Sequence, residues 1–302
     1  MHSRGTGSWG SKATVGWLLA AAALAVSACH PTAPDRAVAA PPAVLPTGSV
    51  PEPTLFSGGE PPTGSLITHG PRDRPRIALT FDADMTRAVY AALRTGRART
   101  WYDPSIVDEL RATHTPATIF LTGLWTQSYP DVVRSMAADP LFEIANHSVD
   151  HAAWKLPCFR LTPVASPAAK RAEVRDAAAE IQSVSGISPR YFRFPGGCAG
   201  PNDVKLVASE GEQPVGWDVT SGDAFQSDPR AVVANVLRQT QPGSIIVMHL
   251  MGPPNAPATS RALVQILPRL RQRGFQFVTL SVLLDANPSG PPSSTAVPSE
   301  AP

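Results

Sequence analysis

The chain has 302 residues, 43% of them hydrophobic and 17% charged, which suits one large domain or two small ones with a real core. A net charge of +2 with no Lys/Arg cluster leaves no electrostatic footprint for nucleic acid, and 7% aromatic residues supply no base-stacking surface. The 33 prolines are unevenly spread, and their clusters delimit the domain.

The first predicted element is a targeting segment. Arg4 and Lys12 supply positive charge ahead of ATVGWLLAAAALAV, an apolar stretch short for a membrane span. It ends in VSAC, so residues 1–29 resemble a bacterial lipoprotein signal in which Cys29 becomes the lipidated first residue of the mature chain. An ordinary cleaved signal and an uncleaved anchor are the alternatives. The expected location is extracytoplasmic, lipid-anchored at the cell membrane, or secreted if the lipobox is not used. Residues 30–73 are rich in Pro, Ala, Gly, Ser and Thr without apolar periodicity, and read as a disordered tether. Residues 286–302 read as a tail of the same kind, which leaves a single domain at 74–285.

Seven short apolar runs follow in the domain: RIALTFD, ATIFLTG, FEIANHS, YFRFPGG, QPVGWDV, SIIVMHL and FQFVTLS. Helical segments lie between most of them, several opening on proline, as at Pro104 and Pro167, and one stopping at Gly186. Pro268 is expected to kink the last. Strand and helix in alternation predict an α/β domain with a parallel sheet, either an open doubly wound sheet or a closed barrel. In both, chemistry gathers where strands end.

Those ends carry ionisable groups. The first run delivers Asp82 and Asp84, the third His147 and His151, the fourth Arg193, the fifth Asp223 and the sixth His249. His147 and His151, four apart, face one side of a helical turn and can share a metal. Asp84 is the natural third ligand, because alternation along an extended segment points 82 and 84 the same way. A bound divalent ion brings a water's pKa to about 7, and Asp82 is the candidate base. Arg193 inside an apolar run needs a carboxylate partner, and Asp82 fits. Asp223 paired with His249 raises that imidazole's pKa and makes it a proton donor to a leaving amine. The plainer alternatives are a strand-end cap for the Asp pair, a structural salt bridge for Arg193 and a satisfied core residue for His249. In an exported protein Cys158 and Cys198 are expected to pair as a disulfide, with two free thiols the alternative.

TFDAD, HSVDH, RFPGG, WDVTSGD and IIVMH, in that order, resemble the five motifs of the polysaccharide deacetylase family, the NodB-like domain. The resemblance spans Arg76 to about Leu284. It implies a distorted barrel of seven parallel (β/α) units and removal of N-acetyl groups from a hexosamine polymer such as peptidoglycan or chitin. It also implies a divalent metal, usually zinc. It assigns Asp82 as base, His147 and His151 as metal ligands and His249 as acid, with Arg193 orienting the base and Asp223 tuning the acid. There are departures. The family's second Asp aligns with Ala83, so either Asp84 substitutes or the metal is held by two histidines and water. Ala224 stands where the family has Trp, and the segment after Thr86 is longer than the usual first loop.

The expectation is therefore a lipid-tethered hydrolase of an N-acetylated envelope glycan, with no nucleic acid and no protein partner. An O-acetyl esterase or small-amide hydrolase of the same fold is one rival. A non-catalytic glycan-binding domain is another.

Overall fold

The computed structural model describes residues 62–285; the expected signal with Cys29, most of the expected tether and the expected tail lie outside them. Eight parallel strands form the frame: β1 Arg76–Ala83, β2 Ala117–Leu121, β3 Phe142–Asn146, β4 Tyr191–Phe192, β5 Gln213–Pro214, β6 Val219–Thr220, β7 Ile245–His249 and β8 Gln276–Val278. Their order is β5-β4-β3-β2-β1-β7-β6, with β8 also pairing β1. Helices α1 Arg87–Arg94, α2 Pro104–Ala112, α3 Gly123–Ser128, α4 Pro130–Ala137, α5 Pro167–Ser185, α6 Pro201–Ser209, α7 Pro229–Gln239, α8 Thr259–Gln272 and α9 Leu280–Leu284 fill the connections. The result is a parallel half-barrel of the distorted (β/α)7 kind.

Proline at the first helical position opens α2, α4, α5, α6 and α7, where its missing N–H costs nothing and its φ is already helical. Gly186 ends α5 in the left-handed conformation, at φ 75°. The helix α8 continues through Pro268 to Gln272. The segment after Thr86 is no bare loop: it folds as α1, capped by Thr86 Oγ1 accepting from the Val89 N–H.

The fifth apolar run divides. Gln213–Pro214 and Val219–Thr220 are separate strands at opposite edges of the sheet, and neither pairs the other. Residues that composition places in the tether bridge this gap. Ile67 pairs with Val215, His69 pairs with Ser244, and Arg72 binds Asp218 at 2.8 Å. The folded unit thus begins before residue 74, because a sheet with two free edges gains partners from the preceding chain.

Alternation sorts the strands into two faces. In β1, Ile77, Leu79, Phe81 and Ala83 pack outward with the helices, in one cluster with Ile119, Leu121, Ile246 and Met248. Ala78 faces inward, in a second cluster with Phe120, Tyr191, Ile245 and Leu280. Thr80 and Asp82 share the inward side of Ala78 by the same alternation. His147 follows from Ala145, Arg193 from Tyr191 and His249 from Ile245. The sheet therefore brings Asp82, His147, Arg193 and His249 to the inner face at the C-terminal ends of their strands.

Candidate active site

Asp82 is 3% exposed, and its countercharge is Arg193, which is fully buried. Arg193 Nη1 donates to Asp82 Oδ1 at 2.7 Å and to Thr80 Oγ1 at 2.8 Å, while Nη2 donates to the Gly216 carbonyl at 3.1 Å. The guanidinium carbon lies 3.9 Å from the Phe120 ring centroid. A cation in such surroundings needs a carboxylate, and the rigid fork fixes which oxygen is used. Asp82 Oδ2 is left free to face His147 Nε2 at 3.7 Å.

The two histidines do meet, but on no helical turn. Residues 147–151 form an irregular loop in which Ser148 and His151 are left-handed, with φ of 70° and 57°. Asn146 Oδ1 accepts from the Ser148 N–H, and Glu173 of α5 accepts from the Val149 N–H at 2.8 Å. Arg87 of α1 grips Asp150 at 2.5 Å. Held this way, the rings sit 5.0 Å apart. His147 Nδ1 donates to the Arg193 carbonyl at 2.8 Å, which turns its Nε2 lone pair toward the carboxylates.

Asp84 completes the group. Its Oδ1 lies 3.2 Å from His147 Nε2 and its Oδ2 lies 3.4 Å from His151 Nε2. The three donor atoms fall within 4.8 Å of one another. Asp84 Oδ1 and His147 Nε2 are buried without a hydrogen-bond partner, a state that demands a cation or water. Two imidazole nitrogens and one carboxylate oxygen suit a divalent ion. Charge points the same way. Burial pushes His151 down to about 4, so it is a neutral lone-pair donor at neutral pH. Burial would likewise lower His147, but the carboxylates of Asp82 and Asp84 outweigh it and raise it. Asp84 is held below the carboxylate range: burial opposes this, and the imidazoles of His151, His147 and His249 overcome it. Acids converging on a buried imidazole call for positive charge at that point, so the residues fit a metal.

Across the cleft stands His249, whose Nε2 is 3.9 Å from Asp84 Oδ2. Its Nδ1 donates to Asp223 Oδ1 at 2.7 Å and its backbone N–H to Oδ2 at 2.8 Å. Thr259 at the start of α8 and Ser221 add donors to the same carboxylate, at 2.7 and 2.9 Å. Burial disfavours charge on the His249 ring, but Asp223 outweighs it and pushes the imidazole up to about 10.

All seven ionisable residues expected from the strand ends thus gather around one cleft of about 400 Å³, with Asp82, Asp84, His151, Asp223 and His249 in its wall. Sequence reasoning did not pick out Thr80, Ser221, Thr259, Trp101 or Glu173. The indole of Trp101, from the long first connection, donates to the Asp84 carbonyl at 2.8 Å and fixes that turn. Alternation within TFD marks Thr80 as sharing a face with Asp82; the others leave no local signal. Cys158 and Cys198 are bonded, joining the β3–α5 and β4–α6 connections.

The polysaccharide deacetylase family profile matches residues 69–214. A chitooligosaccharide deacetylase of Bradyrhizobium is 30% identical over 213 residues, covering 67% of this chain and 93% of its own length. A peptidoglycan-N-acetylglucosamine deacetylase of Bacillus cereus is 28% identical, covering 74% of this chain and 94% of its own. Among solved structures, a family 4 acetyl xylan esterase from Clostridium thermocellum in complex with a cobalt ion has TM-score 0.54 and 27% identity, covering 69% of this chain and 89% of that one. Half-barrel and acid–histidine cluster together define a carbohydrate deacetylase. The chain belongs to the polysaccharide deacetylase family.

Proposed function

We propose that the protein removes N-acetyl groups from a cell-envelope polysaccharide, peptidoglycan or a chitin-like polymer. The observation that carries this is the meeting of three groups in one cleft: the Asp84–His147–His151 cluster, the Arg193-bound Asp82 and the Asp223-bound His249. The relatives named as chitooligosaccharide and peptidoglycan deacetylases support the choice of amide and glycan.

Asp84, His147 and His151 are the residues that would hold the metal, and zinc suits three such ligands with one position left open. The ion supplies positive charge that acidifies a water and polarises the acetyl carbonyl. Asp82 Oδ1 is committed to Arg193, so Oδ2 accepts the proton of the attacking water. Arg193 keeps that carboxylate ionised and aimed. His249 Nε2, protonated through its bond to Asp223, donates to the departing amine nitrogen. Cys29, as the lipidated residue of a VSAC lipobox, would hold the domain at the membrane.

The test is incubation of zinc-loaded protein with peptidoglycan and with β-1,4-linked N-acetylglucosamine oligomers. Acetate and free amine should appear in equal amounts, stop with chelator and return with zinc. Acetate without amine would identify an O-acetyl esterase, which the likeness to an acetyl xylan esterase keeps in view. Glycan binding with no acetate from any substrate would identify a binding domain.

A further inference from the structure

Phe159 and Phe225 are the two most exposed large hydrophobic residues among those described, at 64% and 69%. They come from different connections, β3–α5 and β6–α7, yet their rings lie 5.4 Å apart at 32°. Both border the cleft that holds Asp82, Asp84 and His249. Two phenylalanines left largely in water forgo the gain of burial, so their pairing at the mouth of a reactive cleft asks for a ligand.

Each ring is held by rigid parts. Phe225 is two residues beyond Asp223, which four donors pin in place. Phe159 follows Cys158, whose disulfide ties it to Cys198. Its backbone is left-handed, with φ 40°, a conformation a bulky residue adopts only when its surroundings impose it. The turn beneath needs glycine: a Cβ on Gly196 would lie 2.9 Å from both Cys158 Sγ and Phe159 Cδ2. The pair is thus pre-organised and loses little freedom on binding.

We infer that Phe159 and Phe225 form a stacking platform for a pyranose ring next to the sugar being deacetylated, and so select oligomeric glycan over monosaccharide. A pyranose presents a flat face of C–H groups with hydroxyls at its rim, which suits an aromatic surface that is wet at its edges. Both rings line the same cleft as the acids yet stay largely exposed, which leaves their surface for a sugar other than the one at the acids. Phe225 also directly follows Ala224, so an aromatic ring returns to this wall one residue along. The inference rests on the glycan reading above.

The test is calorimetric titration of the full protein, treated with chelator so that the tetramer is not turned over, with N-acetylglucosamine and with its β-1,4 tetramer. The intact protein should prefer the tetramer by about tenfold or more. Phe159→Ala and Phe225→Ala should each cut that preference several-fold. Phe225→Leu, which keeps apolar bulk without a flat ring, should behave as the alanine variant, while Phe225→Tyr should retain the preference. An unchanged preference in both alanine variants overturns the platform. So does a change only in self-association, read by light scattering, which would make the patch a contact between copies. Because binding is read apart from acetate release, loss of the preference in an inert protein would reject the deacetylase and keep the platform.

Discussion

Asp223 holds His249 by two bonds, from the ring Nδ1 at 2.7 Å and from the residue's own backbone N–H at 2.8 Å. Orientation and charge of the imidazole are set by one carboxylate, with Nε2 left for the cleft. In Asp223→Asn one acceptor oxygen becomes an amide NH2, so one of the two bonds to His249 is lost, and the negative charge is gone, so burial pulls the ring's pKa back down from about 10. An acid must be protonated to act, so the alkaline limb of kcat against pH should move to lower pH by more than one unit, and the rate at pH 8 should fall about a hundredfold. The folded pKa lies above the ordinary 6.5, so the stability that protonated His249 contributes is complete below pH 6.5 and is lost as pH rises through about 10. The Tm gap between parent and variant should narrow over that range. An alkaline limb that stays in place assigns the proton to another group.

Arg193 and Asp82 form a buried ion pair whose members serve different ends. Arg193→Met leaves a carboxylate in the barrel without its countercharge, and such a break costs about 3–5 kcal/mol. Asp82→Asn leaves the guanidinium in the same position. Combined, the two changes remove both charges, and denaturant unfolding should show the double variant more stable than their summed losses allow. Acetate release should stay abolished in all three. A simple sum of the two stability losses would show that the pair is not coupled.

Asp84 and Asp150 flank the histidines with opposite commitments. Asp84 faces both imidazoles, whereas Asp150 is engaged by Arg87. Asp84→Ala should lower bound zinc after dialysis at least tenfold, while Asp150→Ala retains it. Elemental analysis of the dialysed proteins decides the matter, and unchanged zinc in Asp84→Ala rejects the ligand assignment. Transferring the acid to position 83 should not rescue it. Ala83 is fully buried in the outward cluster with Phe81 and Met85, so Ala83→Asp would place a carboxylate among apolar side chains.

Much of this site is legible along the chain because its residues lie at or just beyond strand ends, and buried parallel strands announce themselves as near-continuous apolar runs. Asp82, His147, Arg193 and His249 needed only the period of two and a parallel sheet to share a face. What escaped depends on distant partners. QPVGWDV reads as one run, but Pro214 and Val219 belong to opposite edges joined through Ile67 and His69. The spacing of four between His147 and His151 suggests a helix, yet Glu173 and Asn146 bind the loop's N–H groups and hold a left-handed path. Thr259 reaches Asp223 from 36 residues away, and no local pattern marks such a bond.

The bond between Cys158 and Cys198 closes a loop of 40 residues that contains all of α5 and β4. In the chain-entropy account, opening a loop of that size gives the unfolded chain about 4 kcal/mol of freedom at 25 °C. Cys158 is also buried, so Cys158→Ala loses packing against Gly196 as well. Replacing both cysteines by alanine should therefore lower the denaturant midpoint by an amount equivalent to about 2–4 kcal/mol. The slope should rise slightly as the unfolded chain expands. Acetate release should fall less than stability does, because Asp82, Asp84, His147 and His249 take their positions from β1, β3 and β7, which the bridge does not touch. Equal loss of zinc and of the midpoint would show instead that the bridge, and not the sheet, sets the metal loop.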